Sequence, residues 1–208
     1  MITVEQIFRW LQTVATLMEE NKDFLTRLDA DIGDGDHGIN MDRGFKRVAS
    51  GLNALQDKDI GEIMQEAGMT LVSSVGGASG PLYGTLFIRA AASACGKRHL
   101  NQDELTSFLK AGLSGVMDRG RAKRGDKTMV DALAPAVDAL QLAAQKDKGI
   151  KEALAEAVLS AEEGMKGTIP MIAQKGRASY LGKRSIGHQD PGATSSYLIL
   201  KALHDAVQ

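Results

Sequence analysis

Apolar positions recur along this chain at intervals of three and four residues, the period of an amphipathic helix. Ile7, Phe8, Leu11, Val14, Leu17 and Met18 form the first stripe, and Thr3 with Gln6 three residues on predicts a capping box at its start. Met41, Phe45, Val48, Leu52 and Leu55 form a second stripe. Ile60, Ile63, Met64, Ala67 and Leu71, within residues 59–75, form a third. Pro81 suits the first turn of a fourth helix, which continues through Leu82, Leu86, Phe87, Ala90 and Ala91. Asn101 predicts the cap of a fifth, with Asp103 and Glu104 in its first turn and Leu105, Phe108, Leu109, Leu113 and Val116 along its face. A sixth runs over about 128–144 and must kink or start late at Pro135. Residues 150–163, rich in alanine, leucine and glutamate, predict a seventh. A short helix is expected after Pro170, and a last one opens with Asp190 as N-cap and Pro191 at its first position. No stretch sustains a two-residue alternation, and no repeat or interdomain linker appears. The pattern predicts one all-α domain over residues 1–208, a bundle of about eight helices.

Composition and charge narrow the functions open to such a bundle. With 208 residues, 43% of them hydrophobic, the chain can build its own core. A net charge of −1 excludes a broad basic field for nucleic acid or an anionic membrane. No apolar run reaches the roughly 18–20 residues of a membrane span. The N-terminal MITVEQIFRW has no basic region followed by an apolar run, so no signal peptide is predicted and a cytoplasmic location is expected. The one cysteine, Cys95, cannot form an internal disulfide and is expected to be a small buried apolar residue.

Four loops carry the candidate chemistry. "LDADIGDGDHGIN", residues 28–40, crowds four aspartates onto a glycine-rich segment. Carboxylates at Asp29, Asp34 and Asp36 are hard oxygen ligands, the kind that select magnesium or calcium. An EF-hand register fails. Starting at Asp29 puts Asp34 at the turn glycine and Asn40 at the bidentate glutamate, and starting at Asp31 puts Asp36 at the glycine. An open magnesium site completed by water and phosphate oxygens is one reading, and a solvated acidic turn capping the next helix is the other. "SSVGGASG", residues 73–80, can converge backbone N–H groups on an anion at a helix start, or be a plain turn. It is neither a Walker A loop nor G-x-G-x-x-G. "DRGRAKRGDKTM", residues 118–129, carries Arg119, Arg121, Lys123, Arg124 and Lys127, a polyphosphate clamp or a solvated charged turn. "QKGRASYLGKRSIGHQDPGATSS", residues 174–196, is long for a connection in a bundle, and Arg177 and Arg184 are its candidate phosphate ligands. His37 and His188 lie in these loops, whereas His99 and His204 read as surface residues. Taken together the loops describe a magnesium–nucleotide pocket, since a bundle gathers distant loops at its ends.

"DIGDGDHGINM", "TLVSSVGGASGPLYGT", "GDKTM" and "KGRASYLGKRSIGHQDPGATS" resemble the nucleotide-binding subunit of bacterial dihydroxyacetone kinases, over essentially the whole chain. The stand-alone domain resembles the version that depends on the phosphotransferase system. The resemblance implies an eight-helix antiparallel barrel with the nucleotide at one end. It implies ADP retained as a coenzyme through two magnesium ions and rephosphorylated in place by a phosphoryl-donor subunit charged from phosphoenolpyruvate. The γ-phosphoryl would then pass to dihydroxyacetone held on a histidine of a second partner subunit. Carried over by motif, Asp29, Asp34 and Asp36 are the magnesium ligands. His37, Gly38, Ile39, Asn40, Ala78, Ser79, Gly120, Met129, Arg177, Asp190, Pro191 and Gly192 surround the nucleotide. The basic stretch Arg121 to Arg124 matches no family motif, and a lid role is expected for it from its charge. Aromatic residues are only 4% of the chain, so an adenine pocket of aliphatic and methionine side chains is expected, Met129 among them. Two other readings share the pocket. One is a non-catalytic regulator that reports its nucleotide state to a protein partner, such as a transcription regulator. The other is the nucleotide domain of a fatty acid kinase, whose relatives carry further domains where this chain ends at Gln208.

Overall fold

The connections that carry the four motifs alternate along the chain with connections that carry none. A computed structural model describes all residues, Met1–Gln208, and shows why. Nine α-helices follow one another: α1 (Val4–Glu20), α2 (Lys22–Ile32), α3 (His37–Gly51), α4 (Ile60–Ser74), α5 (Ser79–Ser93), α6 (Gln102–Gly120), α7 (Val130–Gln145), α8 (Ile150–Gly167) and α9 (Pro191–Val207). Eight of them close a ring in which each packs on the next, from α3 through α9, with α1 packed on both α9 and α3. The expected eight-helix barrel is therefore present, and α2 is an addition that lies against α3 and α9. Neighbours run antiparallel, so every second connection falls at the same end.

The core is one continuous cluster of 51 buried apolar residues. Trp10 sits at its centre, stacked on Phe87 at 5.8 Å and edge-on to Phe108 at 6.3 Å. Its indole N–H donates to the Ile199 carbonyl at 2.9 Å, which meets the polar requirement of a buried tryptophan. Three capping boxes, at Thr3, Asp59 and Asn101, start α1, α4 and α6.

The structure departs from the sequence reading in four places. Residues 22–32 are helical, so Asp29 and Asp31 lie on α2 and only residues 33–36 form a turn. That helix buries just Leu25 and Ile32, too thin a stripe to register as periodic. Two residues at each of two sites pair as a small antiparallel ladder, Ile2–Thr3 (β1) with His99–Leu100 (β2), far too short to show alternation. No α-helix follows Pro170; the chain instead forms a 3₁₀ segment at Arg177–Ser185. Cys95 is exposed, because it falls in the turn just after α5 rather than on a packed face.

Candidate functional site

Residues 33–36, 75–78, 121–129 and 168–190 are the four connections at one end of the barrel. They border a cleft of about 420 Å³, a volume typical of small-molecule sites. The antiparallel order also brings the first turns of α3, α5, α7 and α9 to this end. Four helix N-termini, each carrying a partial positive charge, thus border the cleft.

Acidic groups oppose that positive charge. Carboxylate oxygens of Asp29, Asp34 and Asp36 all lie within 4.8 Å of one another. Asp29 stands on the last turn of α2, and its Oδ2 accepts from the backbone N–H groups of Asp36 at 2.9 Å and His37 at 3.1 Å. The 33–36 turn is therefore folded around this carboxylate, which fixes the other two beside it. Arg177 reaches across from the long loop to Asp34 at 3.0 Å, and His188 approaches Asp31 at 3.4 Å. Three hard oxygen donors on an open cleft are few enough for magnesium, which keeps part of its shell as water or phosphate oxygen. The donor set fits that ion.

His37 is buried at the start of α3. Its Nδ1 lies 3.1 Å from Ser79 Oγ and its Nε2 2.8 Å from Ser195 Oγ. Burial holds its pKa down to about 4, against the pull of Asp29 and Asp36, so the ring is neutral at neutral pH. Tyr83 donates to the Gly192 carbonyl at 2.9 Å and lies 2.6 Å from Ser195 Oγ. Burial pushes its phenol pKa well up, so it keeps its proton. Ser195 Oγ also lies 3.0 Å from the Pro191 carbonyl, and Tyr83 Oη 3.1 Å from Ser196 Oγ, so the neutral imidazole and these hydroxyls share one connected network. This chain of hydrogen bonds ties the starts of α3, α5 and α9 together. Asp190 caps α9 by accepting from Ala193 N at 2.6 Å. Burial raises its pKa to about 7, opposed by the Ala193 amide and Lys127 and reinforced by Asp131 and Asp29.

Of the residues expected around the site, Asp29, Asp34, Asp36, His37, Ala78, Ser79, Gly120, Met129, Arg177, Asp190, Pro191 and Gly192 line the cleft. Gly38, Ile39 and Asn40 do not. Gly38 faces α2, where a Cβ would come within 2.0 Å of the Lys22 carbonyl. Ile39 is 51% exposed. Asn40 lies behind the glycine loop, under Gly76, with its Oδ1 accepting from Arg43 at 2.6 Å. Gly77 adopts φ +62°, the left-handed turn that lets the loop reverse before α5. Arg184 is exposed and off the cleft. Among the basic residues of the 118–129 stretch, only Arg119 and Lys127 reach the cleft. Arg124 pairs instead with Asp138 at 2.6 Å, and Arg121 and Lys123 are also off the cleft lining, so the stretch does not cover the cleft in this structure. Tyr83, Thr128 and Lys175 also line the cleft, and sequence reasoning missed them. Tyr83 stands inside the TLVSSVGGASGPLYGT motif and Lys175 inside the 174–196 loop, with no signal that singles either out. Ile32, Pro81, Leu82 and Met129 supply aliphatic and methionine surface to the lining, beside the ring of Tyr83.

Comparison with known proteins agrees with this geometry. The family model described as "DAK2 domain" matches residues 31–205. The chain is 49% identical over 198 residues, 95% of this chain and 94% of the relative, to the PEP-dependent dihydroxyacetone kinase, ADP-binding subunit DhaL, of Escherichia coli strain K12. It is 40% identical over 207 residues, all of both chains, to the PTS-dependent dihydroxyacetone kinase, ADP-binding subunit DhaL, of Lactococcus lactis. Among solved structures, the dihydroxyacetone kinase of C. freundii in complex with AMP-PNP and Mg2+ superposes with a TM-score of 0.72 at 29% identity. That match covers 94% of this chain and 33% of the larger one. This chain therefore belongs to the DAK2-domain family, among the ADP-binding subunits of dihydroxyacetone kinases.

Proposed function

We propose that this protein is the nucleotide-carrying subunit of a phosphoenolpyruvate-dependent dihydroxyacetone kinase, a phosphoenolpyruvate–glycerone phosphotransferase. ADP stays bound, a phosphotransferase-system subunit rephosphorylates it, and the γ-phosphoryl passes to dihydroxyacetone on a partner subunit, giving dihydroxyacetone phosphate. The observation that carries the reading is the three-carboxylate cluster facing four helix N-termini across one cleft. The same constellation accepts both halves of a magnesium–polyphosphate.

Asp29, Asp34 and Asp36 would hold two magnesium ions, which supply neutralisation of charge on the transferring phosphoryl group. His37, Ala78 and Ser79 would meet the phosphates from two helix starts, and Arg177 adds a movable positive charge. Gly120, Met129, Asp190, Pro191 and Gly192 would close around the rest of the nucleotide. The role of the protein's own residues is positioning and electrostatic complementarity, since phosphoryl transfer needs little covalent help. The reading puts the subunit in the cytoplasm and extends, on the resemblance alone, to a transcription regulator as a further partner.

The test is direct. Protein purified without added nucleotide is denatured and the supernatant separated by ion exchange. ADP is expected in near-stoichiometric amount, and a nucleotide-free preparation made without chelator would contradict a retained coenzyme. Transfer from phosphoenolpyruvate to dihydroxyacetone is then assayed with both partner subunits. Bound nucleotide without any transfer would favour the regulator.

A further inference from the structure

Lys127 carries the charge of a phosphate ligand but directs it elsewhere. Its residue is 1% exposed, and its ammonium donates to the carbonyls of His188 at 2.5 Å, Thr168 at 2.7 Å and Met171 at 3.3 Å. A fourth carbonyl, that of Ile169, stands at 3.5 Å. We propose that Lys127 is a positioning residue: its ammonium acts as a built-in monovalent cation that closes the neck of the loop over residues 169–188, and so holds Lys175 and Arg177 at the cleft.

The loop shows why a cation is needed there. Its two ends meet through Gly187 N to the Ile169 carbonyl at 2.8 Å and Asp190 N to Thr168 Oγ1 at 3.0 Å. Those two bonds leave several carbonyl oxygens converging on one point. Thr168 is also the C-cap of α8, so the negative end of that helix adds to the same point. Converging buried carbonyls repel one another and lose their hydration. An ammonium with three donors matches three of them at once, and a neutral side chain matches none. The backbone is bent to deliver it: Lys127 takes φ +60°, a left-handed conformation uncommon outside glycine. Burial pulls the Lys127 pKa down from its ordinary value, and Asp190, next to the neck, opposes that pull and favours the charged form. From this anchor the loop runs out to Lys175, Gly176, Arg177 and Ala178, all of which line the cleft. Gln174 N donates to the carbonyl of Asp126, the residue before Lys127, at 3.0 Å, so the outgoing strand is tied to the same turn.

The proposal deepens the nucleotide reading, but its test needs no nucleotide. The first measurement uses the unaltered protein. Brief acetylation with acetic anhydride, read lysine by lysine in a mass spectrometer, is expected to leave Lys127 the last to react. Modification at the rate of Lys175 or Lys183 in the folded protein would overturn the cage. The second uses Lys127→Ala, which deletes the equivalent of propylammonium. Tryptic cleavage after Lys175 and Arg177 is expected to quicken at least about tenfold, through local opening of the loop. Millimolar propylammonium is expected to restore the slow rate, while tetramethylammonium at equal ionic strength is not. Equal effects of the two amines would overturn the cation role. Leu203→Ala, a core truncation in α9, serves as the comparison for general loosening. If it speeds cleavage at the same two bonds as much, the effect is global and the positioning role fails. If Lys127→Ala does not fold even with propylammonium, the acetylation ranking decides alone.

Discussion

The two ends of the barrel treat their helix starts in opposite ways. At the end away from the cleft, α1, α4 and α6 begin with capping boxes in which Thr3, Asp59 and Asn101 and their glutamine or glutamate partners satisfy one another's backbone donors. At the cleft end, α3, α5 and α7 begin at Asp36, Ala78 and Met129, and none of these side chains caps its helix. Only Asp190, at α9, does so. The far end is closed at three of its four helix starts, α8 at Gly149 being the uncapped one. The cleft end is more open: α5 has no side-chain cap, while the first N–H groups of α3 and α7 are met from outside the cap position, by Asp29 on α2 and by Thr128. Open donors at a helix start are a weakness in an empty protein and an anion site when a ligand arrives, and α5 is the start most available to one.

This comparison can be broken first at the metal cluster. Asp36→Asn keeps shape and removes one charge. Phosphoryl transfer with both partners and phosphoenolpyruvate is expected to fall at least about a hundredfold, the scale of losing one strong electrostatic group. Full activity in that variant would refute the assignment of Asp36 as a ligand. Next, the open end can be given the negative charge that the closed end has. Ala78→Asp places a carboxylate at the start of α5, where it is expected to weaken ADP binding at least about tenfold while stabilising the ligand-free protein by roughly 0.5 kcal/mol through the helix dipole. Calorimetric titration and urea unfolding read the two effects, and unchanged ADP affinity would show that α5 does not face the phosphates.

Asp190, the exception at the open end, gives a pH signature under chelation. Its folded pKa, about 7, lies above the ordinary 3.8, so the folded state holds an extra proton between those values and stability falls as pH rises across them. His37 works the other way. Its folded pKa of about 4 lies below the ordinary 6.5, so stability is lost as pH falls from 6.5 towards 4. In the parent the two slopes oppose each other. In Asp190→Asn only the rising one remains. The stability difference between variant and parent is expected to grow from pH 4 to 7 and then level off, reaching on the order of 4 kcal/mol for a shift of that size. A difference independent of pH would mean that Asp190 ionises freely. The smallest effect belongs to the closed end: Asn101→Ala is expected to cost about 1 kcal/mol in urea unfolding and leave transfer unchanged. A loss of transfer there would dissolve the division between the ends.

How much of this was legible follows the same division. Capping boxes and long apolar stripes are written in neighbouring residues, so Thr3, Asn101 and the faces of α1 and α6 could be read directly. The site's chemistry was visible as residue types in four loops, because segments that each read as a plain turn alone matched one ligand, a magnesium–nucleotide, when taken together. What those residues touch was not visible. Lys127 and Arg177 are both cations in glycine-rich loops, yet one grips carbonyls inside the protein and the other reaches a carboxylate at the surface. That distinction depends on how loops 40 and more residues apart meet. Gly38, Ile39 and Asn40 lie off the cleft lining for a related reason. A motif is contiguous, but the helix it opens turns successive side chains away from the cleft.

The contact between Arg177 and Asp34 has one more consequence. Asp34 cannot serve a metal ion and the guanidinium equally well at the same moment, and Arg177 cannot serve Asp34 and a phosphate equally well. With Asp34 and Arg177 in the roles proposed above, nucleotide that draws Arg177 away would free the carboxylate, and magnesium that takes the carboxylate would free the guanidinium. The two ligands would then promote one another, and by reciprocity each would raise the other's affinity by the same factor. The pair is exposed, 71% at Arg177 and 38% at Asp34, so it is worth at most about 1 kcal/mol. The cooperativity from this contact is accordingly capped near fivefold, roughly the factor that energy represents. Magnesium titrations with and without ADP, repeated in Arg177→Gln, would show the coupling shrink by up to that factor, and an unchanged coupling would mean the contact plays no part in it.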